Sequence, residues 1–261
     1  MSRRRLHPRA WLGTLAAAVV LAGCAAGSPR PTPAELPPNV DLIGVRQAWH
    51  AKLAPIDFPL QVHTQGSQVL LATGEGTVTT LDARTGGVIG QVSAGAPLSA
   101  GVGSDGTVSA VVTRANQVVA LEGGRELWRH RLPTQSYTAP LVAGGRVFVL
   151  GADRSLTALD GKSGAKLWSL QRPAEPLVLR QAGVLLAVGN TLVAGMAGRM
   201  VGINPDDGGV RWEAPIAAAR GTNDVERLVD LVGPVSRQGS VVCARAFPTA
   251  LGCVDAADGP L

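Results

Sequence analysis

The sequence predicts an all-β protein, a β-propeller made of blades of four short antiparallel strands. A segment that reads LTALDGKSGAKLW recurs at Val78–Gly90, Val118–Trp128, Leu156–Trp168, Met200–Trp212 and Leu251–Leu261. Its acidic or amide position recurs at intervals of 40, 38, 44 and 51 residues, at Asp82, Glu122, Asp160, Asn204 and Asp255. A period of about 40–45 residues is typical of propellers and other repeat arrays. The content of 33 Gly and 18 Pro fits a turn-rich chain.

The best-defined repeat indicates where the strands of one blade begin and end. Leu156–Leu159 alternates apolar and polar residues, which predicts a half-buried strand. Asp160 can then accept a backbone N–H bond from two residues further on, and Gly164 supplies the positive φ of the turn. Four strands are therefore predicted around Tyr137–Leu141, at Gly145–Leu150, at Leu156–Leu159 and at Lys166–Trp168.

Tryptophan occupies one fixed position of the repeat, at Trp49, Trp128, Trp168 and Trp212. Gly90 is the vacancy in this series, and the regular spacing predicts packing between blades rather than ligand stacking. Trp49 is predicted to belong to an N-terminal strand that completes the last blade and closes the ring. Because the chain stops before the tryptophan of its fifth repeat, we expect about five blades of a larger, C-terminally truncated ring.

Residues 1–23 are predicted to be a lipoprotein signal peptide. Four arginines precede Trp11–Ala22, an apolar stretch that is too short to span a bilayer. The stretch ends in Leu-Ala-Gly-Cys, which is similar to the lipobox of bacterial lipoproteins and makes Cys24 the expected lipidated N-terminus. An ordinary signal peptide with an incidental cysteine is the alternative. An aspartate after the cysteine would resemble an inner-membrane retention signal. The residue at this position is Ala25, which suggests the outer membrane.

Residues 24–43 contain five prolines between Pro29 and Pro38 and are predicted to be an extended tether, followed by the propeller in residues 44–261. Removal of the four signal-peptide arginines leaves 20 of the 24 basic residues against 19 acidic ones, so the mature net charge is near +1. This balance predicts no basic patch, and charge gives nucleic-acid binding no support.

The sequence yields no candidate catalytic, cofactor-binding or metal-binding residue and predicts a non-enzymatic protein. Gly161-Lys162-Ser163 resembles the end of a P-loop, but Leu156 stands where the first glycine is needed. The three histidines of the mature chain are scattered without metal-ligand spacing, at His50, His63 and His130.

Cys243 and Cys253 lie symmetrically about Pro248 on the two sides of a predicted hairpin. With the turn at Phe247–Thr249 they face each other across two strands, within disulfide range. In an oxidising compartment a disulfide is then possible. Two buried free thiols are the alternative, and a redox pair is less favoured because the CxxC spacing is absent.

The repeat LD-x-x-[ST]-G-x-x-x-W resembles the quinoprotein-type propeller repeat. Together with the lipobox and the tether, it resembles the BamB family, lipoprotein subunits of the machinery that assembles β-barrel proteins in the outer membrane of Gram-negative bacteria. The resemblance covers Leu21–Leu261. It implies an eight-bladed ring with about three blades missing here, a lipid anchor facing the periplasm, and a scaffold without cofactor or small-molecule substrate.

The two longest repeat intervals contain the candidate partner site. Their extra residues fall around Gln171–Gly189 and Ala214–Val235, each after a repeat tryptophan. Insertions at equivalent connections lie on one face of a repeat protein, often the binding face. The segments Pro176–Arg180 and Gly221–Asp230 resemble two loops with which the family contacts a BamA-type subunit at its periplasmic POTRA domains.

The resemblance implies four partner-binding residues, Leu177, Leu179, Arg180 and Asp230. A second acidic contact of the family falls at Val232 in this sequence, which is a departure from the family pattern. Two exposed leucines beside an arginine fit a small binding hot spot, with Asp230 orienting Arg180. The alternative is that both leucines pack inward and that Arg180 is merely solvated.

Two other functions remain open from the sequence. A pyrroloquinoline-quinone-dependent periplasmic dehydrogenase shares the repeat, but it would need calcium ligands, an aspartate base and usually vicinal cysteines. The sequence has no vicinal cysteines and no acidic cluster at the start of a strand. A cell-surface sugar or peptide binder is the weaker possibility.

Overall fold

A computed structural model describes Glu35 and residues 44–172, 177–248 and 250–260. The predicted signal peptide, the predicted lipidation residue Cys24 and nearly all of the predicted tether lie outside the described residues. The chain divides into two units, Met1–Arg46 and Gln47–Leu261, and the repeats belong to the second. No helix in the described part of the chain is long and apolar enough to cross a membrane.

In the described part of the chain, five sheets of four strands follow one another, which confirms the predicted all-β propeller blades. Blade 1 contains β1 (His63–Gln65), β2 (Gln68–Ala72), β3 (Thr77–Asp82) and β4 (Val88–Ser93). Blade 2 contains β5 (Gly103–Ser104), β6 (Val108–Val112), β7 (Gln117–Glu122) and β8 (Arg125–Arg131). Blade 3 contains β9 (Leu141–Ala143), β10 (Arg146–Leu150), β11 (Leu156–Asp160) and β12 (Lys166–Leu170).

The last two blades have the same order. Blade 4 contains β13 (Leu185–Val188), β14 (Thr191–Met196), β15 (Arg199–Ile203) and β16 (Val210–Pro215). Blade 5 contains β17 (Asp230–Gln238), β18 (Val241–Phe247), β19 (Ala250–Asp255) and β20 (Gly259–Pro260). Within every blade each strand pairs antiparallel with the next one in sequence, and the first strands of blades 1 to 4 contact each other in succession.

Among the described residues, the hydrophobic core forms four clusters, and each cluster lies between two neighbouring blades. Strand β10 shows how one strand serves two clusters. Val147 and Val149 face blade 2, whereas Phe148 and Leu150 face blade 4. Because both faces of a middle strand are covered, Val147–Leu150 of β10 is a continuous apolar run rather than an alternating one.

Strand β11 differs from its predicted environment for this reason. The alternation in Leu156–Leu159 predicts one solvated face, but all four residues are buried, and Thr157 is only 6% exposed. Sequence alternation reports polarity, and it does not reveal that a neighbouring blade covers the second face of the sheet.

The turn between β11 and β12 forms as the sequence predicts. Asp160 Oδ1 accepts hydrogen bonds from the backbone N–H of Lys162 at 3.1 Å and of Ser163 at 2.8 Å. Gly164 has a φ of +70°, the left-handed conformation that the turn requires. The hydrogen bond from the Ser163 hydroxyl is the largest of the effects that hold the pKa of Asp160 below its ordinary value.

Each described tryptophan is hydrogen-bonded to the turn between the last two strands of the following blade. For Trp49, which precedes blade 1, the following blade is blade 1 itself. The indole N–H donates to a turn carbonyl in every case: Trp49 to Ala83 (2.9 Å), Trp128 to Gly161 (2.9 Å), Trp168 to Pro205 (3.0 Å) and Trp212 to Ala256 (3.3 Å). The contacts of Trp128, Trp168 and Trp212 confirm that these tryptophans pack between blades. Trp49 lies outside every strand of the described residues, so the closing strand expected there is not formed in them.

The vacancy at Gly90 has a physical reason in blade 2. Gly90 faces Thr80 across the ladder as Trp128 faces Ala120, so both occupy the tryptophan position. The turn that a tryptophan at Gly90 would meet is only Gly123-Gly124, both with positive φ, between the directly paired residues Glu122 and Arg125. This hairpin has only two turn residues, so the longer turn that receives an indole in the other blades does not form here.

The alternating strand directions define two faces of the propeller. We call the end that carries the connections between blades the connection face; it includes the turn 151–155, the connection 216–229 and the described residues 171–172 and 177–184 of the connection between blades 3 and 4. The opposite end is the aspartate-turn face, which includes the turns 83–87 and 161–165. Both long insertions therefore lie on the same face.

Candidate functional site

The connection between blades 3 and 4 presents the first group of predicted partner residues. Leu177–Arg180 is not part of a strand. Leu177 is 38% exposed and Arg180 is exposed, whereas Val178 and Leu179 are half-buried. Exposed side chains on an irregular connection are available to another molecule. Leu179, which is half-buried, packs partly against the protein.

A buried ion pair holds this loop. Arg154 Nη2 lies 3.2 Å from the Leu177 carbonyl oxygen and 3.2 Å from Asp230 Oδ1. The other oxygen of Asp230, Oδ2, accepts a hydrogen bond from the Leu179 backbone N–H at 2.9 Å. The side chains of Arg154 and Asp230 are 6% and 15% exposed. Three segments that are distant in sequence thus meet at one ion pair.

Arg154 has an unusual backbone conformation for its residue type. Its φ is +62°, a region that non-glycine residues other than Asn and Asp rarely adopt. The same position of the turn holds Gly76 in blade 1 and Asn116 in blade 2, each donating its N–H back to the first residue of the turn. The residue types that suit this position are therefore Gly and Asn, and blade 3 departs from them.

Asp230 does not orient Arg180, and that expectation was wrong. Both carboxylate oxygens of Asp230 point inward, to Arg154 and to the Leu179 N–H. The Arg180 guanidinium carbon lies instead 5.5 Å from the centre of the Tyr137 ring, in a cation–π arrangement. Arg180 forms no ion pair with any carboxylate in the part of the chain that the structure describes.

Arg180 also lines a cavity of about 400 Å³ on the connection face, together with Asp57, Arg114 and Tyr137. Asp57 and Arg114 form an ion pair across it. The hydrogen bond from Arg114 is the largest effect that lowers the pKa of Asp57, and the positive charge of Arg180 adds a smaller lowering. The cavity therefore contains two guanidinium groups and one carboxylate.

The second insertion, between blades 4 and 5, forms a compact turn of its own. Asn223 Oδ1 accepts a hydrogen bond from the Glu226 N–H at 2.9 Å, and Glu226 Oε2 accepts one from the Thr222 N–H at 2.8 Å. The Thr222 N–H bond is the main cause that lowers the pKa of Glu226. Val225, at the tip, is 71% exposed. Polar groups within the turn are thus satisfied locally, and an apolar side chain is left facing solvent.

Val232, where the sequence resemblance places a second acidic contact, is only 8% exposed. It bridges to Gly183 in the other insertion and pairs with Arg245 in β18. In this chain the residue therefore packs against the neighbouring connection rather than presenting a charge.

Cys243 and Cys253 are directly opposite in the β18–β19 ladder, and the structure joins their sulfur atoms in a disulfide with an S–S distance of 2.02 Å. This pair lies in blade 5, away from Arg180 and Leu177 in sequence and in sheet. It cross-links β18 and β19, the two strands of the hairpin whose turn was predicted at Phe247–Thr249.

The described ranges contain no group of three or more His, Cys, Asp or Glu side chains placed to hold a metal ion. The carboxylates with lowered pKa that belong to the repeats, Asp82, Asp160 and Asp255, each bind the backbone of their own turn. These groups are therefore occupied in holding turns and not in a shared catalytic cluster.

Sequence reasoning found the loop residues but missed Arg154, Tyr137 and Arg114. Arg154 contacts residues 23 and 76 positions away, separations that no repeat pattern reports. One signal was present: in the aligned turns, Arg154 stands where blades 1 and 2 have Gly76 and Asn116. A residue type that breaks a conformational rule at one copy of a repeat indicates a specific contact.

Fold and site together define a quinoprotein-type β-propeller whose two long connecting loops lie on one face. The chain belongs to the family of the outer membrane protein assembly factor BamB, whose family model matches residues 74–260. This membership confirms the predicted family. It also agrees with the prediction of a protein that is not an enzyme, because the family is named for assembly.

Individual relatives bear the same name. The chain is 35% identical to the outer membrane protein assembly factor BamB of Bordetella pertussis, over 99% of the chain and 69% of that protein. It is 32% identical to BamB of Burkholderia pseudomallei, over 94% of the chain and 65% of that protein. The crystal structure of BamB from Moraxella catarrhalis superimposes with a TM-score of 0.70 at 24% identity, covering 78% of this chain and 63% of that one, and this likeness shows the fold. The chain thus spans about two thirds of the length of these relatives.

Proposed function

We propose that the chain is a lipid-anchored, non-enzymatic scaffold of the machinery that assembles β-barrel proteins in the outer membrane. In this proposal the connection face binds the periplasmic POTRA domains of a BamA-type subunit through Leu177, Leu179 and Arg180, with Asp230 as the fourth residue of the site. Cys24 carries the lipid in the outer membrane, residues 24–43 form the tether, and the propeller faces the periplasm.

The observation that carries the proposal is the combination of exposed side chains and a fixed backbone in one loop. Leu177 and Arg180 point outward, while the backbone on either side of Val178 is hydrogen-bonded to Arg154 and Asp230. A loop that is already ordered loses little conformational entropy on binding, so its contacts count almost fully towards affinity.

The chemistry of the exposed pair fits a protein partner. A leucine beside an arginine provides an apolar contact and a cation that has no carboxylate partner among the described residues. Arginine is enriched in binding hot spots, where a few residues supply most of the free energy of association. The predicted mature chain has a net charge near +1, which gives nucleic-acid binding no electrostatic support.

Site-specific photocrosslinking in cells tests the proposal. A photoreactive residue at Leu177 should crosslink the BamA-type subunit, and the same residue at Arg84 on the aspartate-turn face is the matched control. A BamA adduct at Leu177 and none at Arg84 is the expected result. Adducts of equal yield at both positions, or none at Leu177, would contradict the proposed docking face.

A further inference from the structure

We infer that Arg154 and Asp230 are positioning residues, which hold Leu177–Arg180 in its binding conformation and do not themselves contact the partner. The binding role of this loop rests on the function proposed above. The inference changes the role of Asp230 from a residue that meets the partner to one that acts through the loop, and it adds Arg154 to the site.

The geometry supports this assignment because three hydrogen bonds link Arg154, Asp230 and the loop to one another. Arg154, in the β10–β11 turn of blade 3, binds the Leu177 carbonyl and Asp230 Oδ1. Asp230, at the start of β17 in blade 5, binds the Leu179 N–H. Two backbone groups that are two residues apart, the Leu177 carbonyl and the Leu179 N–H, are therefore fixed by one ion pair. The loop between blades 3 and 4 is held by its neighbours in blades 3 and 5.

The burial of these groups separates them from the residues that face solvent. Arg154 and Asp230 have side chains that are 6% and 15% exposed, and both oxygens of Asp230 already accept bonds from inside the protein. Leu177 is 38% exposed, and Arg180 is exposed on the same loop. A partner that approaches the connection face therefore meets Leu177 and Arg180 and not the ion pair beneath them.

The backbone of Arg154 supplies an independent argument. Its φ of +62° lies in the left-handed region, where the equivalent turn residues are Gly76 and Asn116. An arginine in this conformation is unfavourable unless its surroundings compensate for it. The contacts of the guanidinium with Leu177 and Asp230 provide that compensation, which explains why this turn differs from those of blades 1 and 2.

Hydrogen exchange of the Leu179 amide in the whole chain, followed by NMR, tests the positioning role directly. Arg154→Gly removes the guanidinium without straining the backbone, because glycine has a positive φ at the equivalent position of blade 1. Exchange at Leu179 should become at least tenfold faster, since its acceptor Asp230 loses the partner that holds it. The amide of Val193, which is fully buried in β14, should exchange at the wild-type rate. Asn116→Gly makes the equivalent change in blade 2 and should alter neither amide.

Titration with the purified POTRA domains completes the test. Arg154→Gly should bind about tenfold more weakly than the wild type, and Asn116→Gly should bind like it. Unchanged exchange at Leu179, or equal acceleration at Val193, would overturn the inference that the ion pair fixes this loop. Faster exchange at Leu179 with unchanged affinity would overturn its role in binding. If the wild type does not bind the domains, the proposed function fails, and the exchange rates alone decide whether Arg154 positions the loop.

Discussion

The indole ring of Trp128 lies against the backbone of Gly164 in the next blade, where a Cβ atom would stand 2.6 Å from ring atoms Cδ2 and Cε3. The same indole donates from Nε1 to the Gly161 carbonyl at 2.9 Å. One side chain thus joins β8 of blade 2 to the aspartate turn of blade 3. Glycine is needed at position 164 both for this approach and for its φ of +70°.

Gly164→Ala should therefore destabilise the protein more than an alanine at another glycine of positive φ. Gly144 is the matched control, because its φ is +59° and the nearest atom to a built Cβ is Arg146 Nη1 at 3.9 Å. The strained backbone costs about 1–2 kcal/mol at either position. Displacement of the indole adds roughly 1–3 kcal/mol at Gly164 only. Urea denaturation measures both, and equal losses would contradict the packing role of the tryptophan.

His63 predicts a dependence of stability on pH. It lies in β1, where burial is the main effect that lowers its pKa below the ordinary value of 6.5. The unfolded chain therefore binds a proton at a higher pH than the folded chain does. The contribution of His63 to stability is complete above pH 6.5 and is lost as the pH falls towards the lowered folded-state pKa.

The measurement is the free energy of unfolding of wild type and His63→Gln at pH 7.5 and pH 5.5. Wild type should lose stability over this interval, and His63→Gln should lose less. The turn carboxylates Asp82 and Asp160 do not interfere, because their pKa values lie below the ordinary 3.8. Parallel losses in the two proteins would show that His63 is not the group responsible.

Cys24→Ala should abolish lipidation, because the cysteine thiol is the acceptor of the diacylglyceryl group in the predicted lipobox. The expected result in cells labelled with radioactive palmitate is a labelled wild type and an unlabelled variant that accumulates as precursor or as a soluble periplasmic form. Label retained in Cys24→Ala would exclude this residue as the anchor.

The disulfide between Cys243 and Cys253 can be tested by peptide mapping, because Arg245 lies between the two cysteines. Trypsin separates them into the peptide 238–245 and a peptide that begins at Ala246. Without reductant the two peptides should appear as one linked species, and with reductant as two. Free reaction of both cysteines with a thiol reagent in the native protein would show that they are not bridged.

The propeller was predictable because its information is repeated and local. The turn at Asp160 and the position of Trp128 each depend on neighbours within one repeat or on its period. The ion pair that holds the Leu177–Arg180 loop was not predictable, because the contacts of Arg154 join residues far apart in sequence. A charge pattern alone also could not distinguish Arg154 from Arg180 as the partner of Asp230, and the choice of Arg180 was wrong.

Arg180 is the exposed cation of the connection face on which the proposed binding most depends. Arg180→Glu reverses that charge at a residue outside the described strands and core clusters, and Arg84→Glu makes the same change in a turn of the opposite face. Arg114 is unsuitable as a control, because it lines the same cavity as Arg180 and pairs with Asp57. Both variants should melt at nearly the wild-type temperature.

The most direct measurement is a titration of wild type, Arg180→Glu and Arg84→Glu against the purified POTRA domains of the BamA-type subunit. Loss of a hot-spot arginine costs about 2 kcal/mol or more, which corresponds to roughly thirtyfold in affinity. We predict that Arg180→Glu binds at least tenfold more weakly than wild type and that Arg84→Glu binds normally. Equal affinity of wild type and Arg180→Glu would contradict the proposed role of the connection face.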